Sequence, residues 1–137
     1  MTDENSEDRE MQERVAAFRL LESKLKGLAQ QREILASKIM EVRSTLASVD
    51  EIVRNQGDIL FPVGSAAYVH GNIKDGKNIV VEIGAGVALE KDVEDARKTL
   101  EARLKELEDV FVNLQNEISR VSSVMDEIQS NLELAGA

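Results

Sequence analysis

The sequence contains no cysteine, no tryptophan and a single proline, and aromatic residues make up only 3% of its 137 positions. Without cysteine there are no disulfides and no thiolate metal sites, and a reducing compartment is favoured. The one histidine, His70, would need carboxylates from several places to build a zinc site, so it reads as an ordinary strand side chain. The aromatics are Phe18, Phe61, Tyr68 and Phe111, fewer than a compact globule of this length carries and too few for a base-stacking platform. A net charge of −9 and the lack of any Lys/Arg-rich run argue further against nucleic acid. No apolar run approaches the roughly 18 residues of a membrane span. The opening MTDENSEDRE has neither the basic nor the apolar region of a secretory signal. The expectation is a soluble, cytoplasmic protein.

Catalytic signatures are missing as well. IGAGV at 83–87 lacks the third glycine of a dinucleotide loop, and there is no G-x-x-x-x-G-K phosphate loop or G-x-S-x-G elbow. The many carboxylates fall on solvated helix faces, where their acid–base behaviour is ordinary. The reading is a protein that is not an enzyme, with no catalytic residues, no cofactor and no metal.

What is present is periodicity. Phe18, Leu21, Leu25, Leu28, Arg32, Leu35, Ile39, Val42, Leu46, Val49 and Val53 step alternately by three and four, and all but Arg32 are apolar. Met11 extends the series. A second series runs Leu104, Leu107, Phe111, Leu114, Ile118, Val121, Met125, Ile128, Leu132, Ala135, with Val93, Ala96 and Leu100 leading in. Both are coiled-coil seams, narrower than the buried face of a globular helix. Arg32 reads as a register device that snorkels outward. Glu10–Arg14, Glu22–Lys26, Glu94–Lys98 and Glu101–Lys105 have the i,i+4 spacing of surface ion pairs. The helices are expected at about 8–56 and 90–134, with residues 1–8 frayed and Gly57 and Asp58 stopping the first. At 1.5 Å per residue each is roughly 65–70 Å long. Matched lengths predict an antiparallel hairpin, with Val53 beside Val93, Phe18 near Ile128 and Met11 near Ala135. The chain is expected to form a single domain over residues 1–137, both ends lying at one tip.

Between the helices, residues 58–89 alternate with period two. Ile59, Phe61 and Val63 share a face, as do Ala67, Val69, Gly71 and Ile73, with Tyr68, His70 and Asn72 opposite. Ile79, Val81 and Ile83 follow, then Val87 and Leu89. Pro62–Gly64–Ser65, Asp75–Gly76 and Gly84–Gly86 supply turn signals. Four short strands in two hairpins are too little sheet for a core of their own, and few charges guard their edges. Closure with strands of other chains in an intersubunit β-barrel is the economical solution. The residues assigned to oligomerisation are Ile59, Phe61, Val63, Tyr68, Val69, Ile73, Ile79, Val81, Ile83 and Val87. The predicted fold class is therefore mainly α: a long antiparallel coiled-coil hairpin with two small β-hairpins between its helices.

These residues also resemble a known family. Pro62, Gly64, Ser65, Ala67, Tyr68, Val69, Gly71 and Ile73 match a P-x-G-S-x-A-Y-V-x-G-x-I pattern, and Val80, Val81, Ile83, Gly84 and Gly86 a V-V-x-I-G-x-G pattern. Glu90 and Lys91 follow. Together they resemble the centre of archaeal prefoldin alpha subunits, and the flanking helices agree in length and order. The resemblance implies an ATP-independent chaperone subunit in a hexamer of two alpha and four beta subunits joined through their strands. The coiled-coil tips would bind non-native proteins and deliver them to a group II chaperonin. At the tip, Val15, Leu20, Val124 and Leu134 are apolar off the seam, and Met11, Phe18, Leu21, Met125, Ile128 and Leu132 become available if the last turns splay. Burying one such side chain yields roughly 1.5–3 kcal/mol, and several weak tips hold by multivalency. The alternative is a structural coiled-coil scaffold or adaptor assembled through the β region. Ile34, Ile52, Val110 and Val112, apolar and off the seam but away from the tip, are what keep it in view.

Overall fold

The computed structural model describes residues 2–54 and 57–136. Helix α1 (Thr2–Arg54) is followed by strands β1 (Asp58–Gly64), β2 (Ala67–Asn72), β3 (Asn78–Gly84) and β4 (Val87–Asp92), and then by helix α2 (Val93–Gly136). The expected end of the first helix at Asn55 and Gln56 lies outside the described residues. The chain divides into two compact units, Met1–Ser37 with Glu108–Ala137 and Lys38–Leu107.

In the first unit two helical segments pair. Arg32 Nη1 donates to Gln115 Oε1 at 2.9 Å, and Lys24 Nζ lies 3.1 Å from Glu117 Oε1. The Arg32–Gln115 contact is within one residue of the seam register expected from the heptads. Val121 is the buried seam residue, while Phe18, Leu21, Leu25, Leu28, Leu114, Ile118, Met125 and Ile128 are half-buried, as two helices alone allow. Residues 2–8 are helical rather than frayed. Asp3 and Glu4 in the first turn complement the positive end of the helix dipole.

The second unit holds the rest of the core: Ile39 and Val49 of α1, Ala96 and Leu100 of α2, and Val81 of β3. Arg97 Nη2 donates to Asp50 Oδ1 at 2.5 Å across the seam, and its Nη1 donates to Glu94 at 3.0 Å. Glu94 thus turns to Arg97 and not to the expected Lys98. None of the four expected i,i+4 pairs closes among the described residues, because exposed ion pairs gain little over separate hydration.

β1 pairs antiparallel with β2 and β3 with β4, as two separate two-stranded sheets. Ile59 faces Gly71 and Phe61 faces Val69, so the two apolar sets of the first hairpin meet on one side. Pro62 lies inside β1 opposite Tyr68 rather than in the turn, next to a register shift between Pro62 and Gly64. A bulge is where a strand tolerates a residue with no amide donor. β4 continues to Asp92 because Lys91 and Glu90 still pair with Ile79 and Val80. Asp92 then caps α2, its Oδ1 accepting from the Asp95 amide at 2.8 Å, while the Val93 amide donates to the Lys77 carbonyl at 3.0 Å.

The hairpins are two copies of one unit. Twenty positions separate Ile59 from Ile79, Phe61 from Val81, Gly64 from Gly84 and Val69 from Leu89, and each pair holds the same place in its ladder. The backbone repeats too. Gly64 and Gly84 have φ of 115° and 125°, followed by left-handed Ser65 (46°) and Ala66 (60°) in one turn and Ala85 (51°) and Gly86 (75°) in the other.

Candidate functional site: exposed strand faces and an apolar helix end

The strand region presents apolar side chains that its own unit leaves wet. In the first hairpin Ile59 and Ile73 are half-buried, but Phe61, Val63, Tyr68 (59% exposed) and Val69 (52% exposed) are not covered. Leu60 is exposed on the opposite face, the face of Tyr68. The pattern reading missed Leu60, together with Val80 and Leu89 of the second hairpin. Leu60 and Val80 extend the apolar character to the face of Tyr68 in the first hairpin and its counterpart in the second, and Leu89 faces Val81 across the ladder. Ile83 and Val87 are exposed and Ile79 is half-buried. Val81 stands apart at 7% exposure, occupied by the chain's own core.

The second hairpin is fastened to the helices. Val81 and Ile79 line an open groove of about 470 Å³ with Val42, Val49, Leu100 and Leu107. Arg103, at the seam step between Leu100 and Leu107, donates from Nη2 to the Glu82 backbone carbonyl. The heptad reading passed over Arg103 in favour of Leu104. The polar residue in the seam was the available signal. In the first hairpin, His70 Nδ1 lies 2.8 Å from Asp58 Oδ2, both exposed. The link between the hairpins is tied by Asp75. Its carboxylate accepts from Asn78 Nδ2 and from the Lys77 amide, each at 2.9 Å. These bonds, the Asn78 side chain first, hold its pKa below the ordinary carboxylate value.

The first unit carries the other candidate surface. Leu20 (73% exposed), Leu134 (76% exposed), Val124 and Met11 are uncovered. Phe18, Leu21, Met125, Ile128 and Leu132 are half-buried along the seam, and Val15, expected off the seam, is half-buried with them because it stands four residues after Met11 and three before Phe18. Asp8, Met11, Gln12, Val15, Ala16 and Arg19 border an open groove of about 440 Å³. Exposed apolar residues also occur elsewhere, at Ile34, Met40, Val110 and Val112. Among the described residues no helix is long and apolar enough to cross a membrane.

Comparison with known proteins agrees with this architecture. The prefoldin subunit family model matches residues 21–136. The prefoldin alpha subunit of Methanobrevibacter smithii is 27% identical over 128 residues, covering 88% of each chain. Prefoldin subunit alpha 1 of Thermococcus kodakarensis is 31% identical, covering 72% of this chain and 68% of its own. The prefoldin alpha subunit of Thermococcus onnurineus is 33% identical, covering 74% and 71%. Among solved structures, filamentous PFD from Methanocaldococcus jannaschii superposes with a TM-score of 0.71 at 24% identity, over 84% of this chain and 97% of that one.

Proposed function

The chain belongs to the prefoldin subunit family, and from that premise we propose that it is the alpha subunit of an ATP-independent holding chaperone. It joins beta subunits through its two hairpins, two alpha with four beta, and its coiled-coil tip binds non-native proteins for delivery to a group II chaperonin. One observation carries the client-binding part: Met11, Leu20, Val124 and Leu134 are exposed at the helix ends. A non-native chain exposes apolar surface, and these side chains offer a place to bury it. Beside them Val15, Phe18, Leu21, Met125, Ile128 and Leu132 are half-buried and within reach if the last turns part. Two of the ten are Met, whose unbranched, polarizable side chain adapts to varied partners.

Assembly rests on the strands. Ile59, Phe61, Val63, Tyr68, Val69, Ile73, Ile79, Ile83 and Val87 line apolar ribbons with open edges, which other strands can extend. Val81 supports them from within the core. A scaffold role is favoured by Ile34, Met40, Val110 and Val112, exposed away from the tip.

The test is light scattering of an unfolded client diluted without ATP, with the chain assembled with its beta partner. Full-length chain is compared with a form lacking 1–21 and 125–137, both first shown to assemble. Suppression by the full-length form alone supports tip binding. Equal suppression moves the binding surface to the shafts or strands, and suppression by neither gives the scaffold the lead.

A further inference from the structure

Charge is distributed unevenly along this chain, and the imbalance coincides with the apolar helix end. Residues 2–16 carry six acidic and two basic side chains, and residues 124–135 carry three acidic and none basic. These two stretches hold a net −7 of the chain's −9. Everything else, shafts and strands together, is close to neutral.

The geometry of α1 puts acid and apolar groups on the same face. Positions four, seven and eleven residues apart lie along one side of a helix. From Glu4 that side runs through Asp8 and Met11 to Val15, with Glu7 one turn from Met11. Asp8, Met11 and Val15 border the same groove. Asp3 through Arg14 are all exposed and Val15 is half-buried; Arg19, one turn beyond Val15, borders the groove as its one cation, so among the described residues acid outweighs base along this face. Glu4, Glu7 and Asp8 take part in no ion pair among the described residues. On α2, Glu127 lies one turn from the exposed Val124 and two turns from the exposed Leu134, on their side of the helix.

We infer that this face selects among clients: its preferred occupant is a non-native segment in which apolar residues alternate with Lys or Arg at helical or strand spacing. The inference rests on the holding-chaperone reading and names the substrate class of the same site. Apolar contacts with Met11 and Val15 are indifferent to charge. The carboxylates a turn away attract a basic segment and repel an acidic one, so discrimination comes from the charges and retention from the apolar groups.

The experiment uses three fluorescent peptides with one shared set of Leu, Phe and Val positions and with Lys, Ser or Glu between them. Each is titrated with the full chain in its assembly, followed by anisotropy. The basic peptide is expected to bind about ten-fold more tightly than the Ser peptide, the Glu peptide more weakly still, and the differences to shrink several-fold from 50 to 500 mM salt as screening shortens to a few ångströms. A chain carrying E4Q, E7Q and D8N, with helicity checked by circular dichroism, is expected to bring the basic peptide down toward the Ser peptide. Equal affinity for all three peptides overturns the inference and leaves the client-binding reading standing. Binding of none overturns both.

Discussion

The ring of Phe61 lies on Gly71 across the first hairpin: a Cβ added at Gly71 would sit 2.7 Å from the ring's Cε2 and 2.9 Å from its Cδ2. An aromatic covering a cross-strand glycine pins the register and shields a backbone that has no side chain of its own. Gly71→Ala is therefore expected to push the ring off its seat and cost about 1 kcal/mol of stability despite the better strand propensity of alanine. Thermal unfolding at fixed protein concentration checks it. An unchanged or higher midpoint would show that the ring finds an equally good place.

The two turns differ in strain. Ser65 and Ala66 both adopt left-handed conformations that disfavour a Cβ, whereas the second turn has glycine at its second position. Asn-Gly is the pair suited to such a two-residue turn. Ser65→Asn with Ala66→Gly is expected to stabilise the first hairpin by about 1 kcal/mol. Ala85→Asn alone should gain less, since Gly86 is already in place. Denaturant midpoints of the two variants, compared side by side, decide the order.

Arg32 interrupts the seam of α1 and reaches Gln115 through an exposed hydrogen bond. Replacing it by Leu trades that bond for apolar contact at a half-buried position, a gain of about 1 kcal/mol. Polar seam residues fix alignment at some expense of stability. Arg32→Leu should thus raise the unfolding midpoint while broadening the distribution of helix registers, read by spin-label distances between the two helices. A variant with a lower midpoint would show that the hydrogen bond outweighs the seam contact.

Asp75 gives the link between the hairpins a pH dependence of known sign. Its folded-state pKa is lowered by the Asn78 and Lys77 hydrogen bonds. The ionised form is therefore favoured by folding. Its stabilisation is complete above the unfolded value of about 4 and is lost as pH falls through the folded value. Hydrogen exchange at the Lys77 amide, corrected for intrinsic rates, should accelerate relative to the hairpin ladders in that acid range. Asp75→Ala should show the acceleration already at neutral pH, and slow exchange in that variant would assign the protection to the backbone alone.

Much of this architecture was readable in the chain because it depends on spacing. A three-four alternation of apolar residues leaves few options other than a two-helix seam, and Arg32–Gln115 falls where that alternation puts it. Period two between glycine turns gave the four strands. The misses depend on what lies opposite a residue. Val81 alternates like Ile59 and Phe61, and only the neighbouring Val49 and Leu100 make it a core residue. Arg103 stands at a seam step, but its partner, the Glu82 carbonyl, lies 21 residues away and no spacing rule points to it. Of the exposed apolar residues of the helix end, Leu20, Val124 and Leu134 were identifiable as off-seam positions, whereas Met11 belongs to the seam series and is wet because the seam ends there. Spacing could not distinguish them from Ile34 or Val110, which have the same pattern and similar exposure.

The anchoring of the second hairpin has a consequence for both. Val81 seats it in the core and Arg103 bolts its backbone to α2, whereas Ile59 and Leu60 of the first hairpin border an open groove with Ser48, Glu51 and Ile52 of α1. Two ribbons of one design thus meet the helices differently: the fastened one gives up a side chain and a carbonyl to hold its place, and the other keeps its faces for contacts the chain does not itself supply.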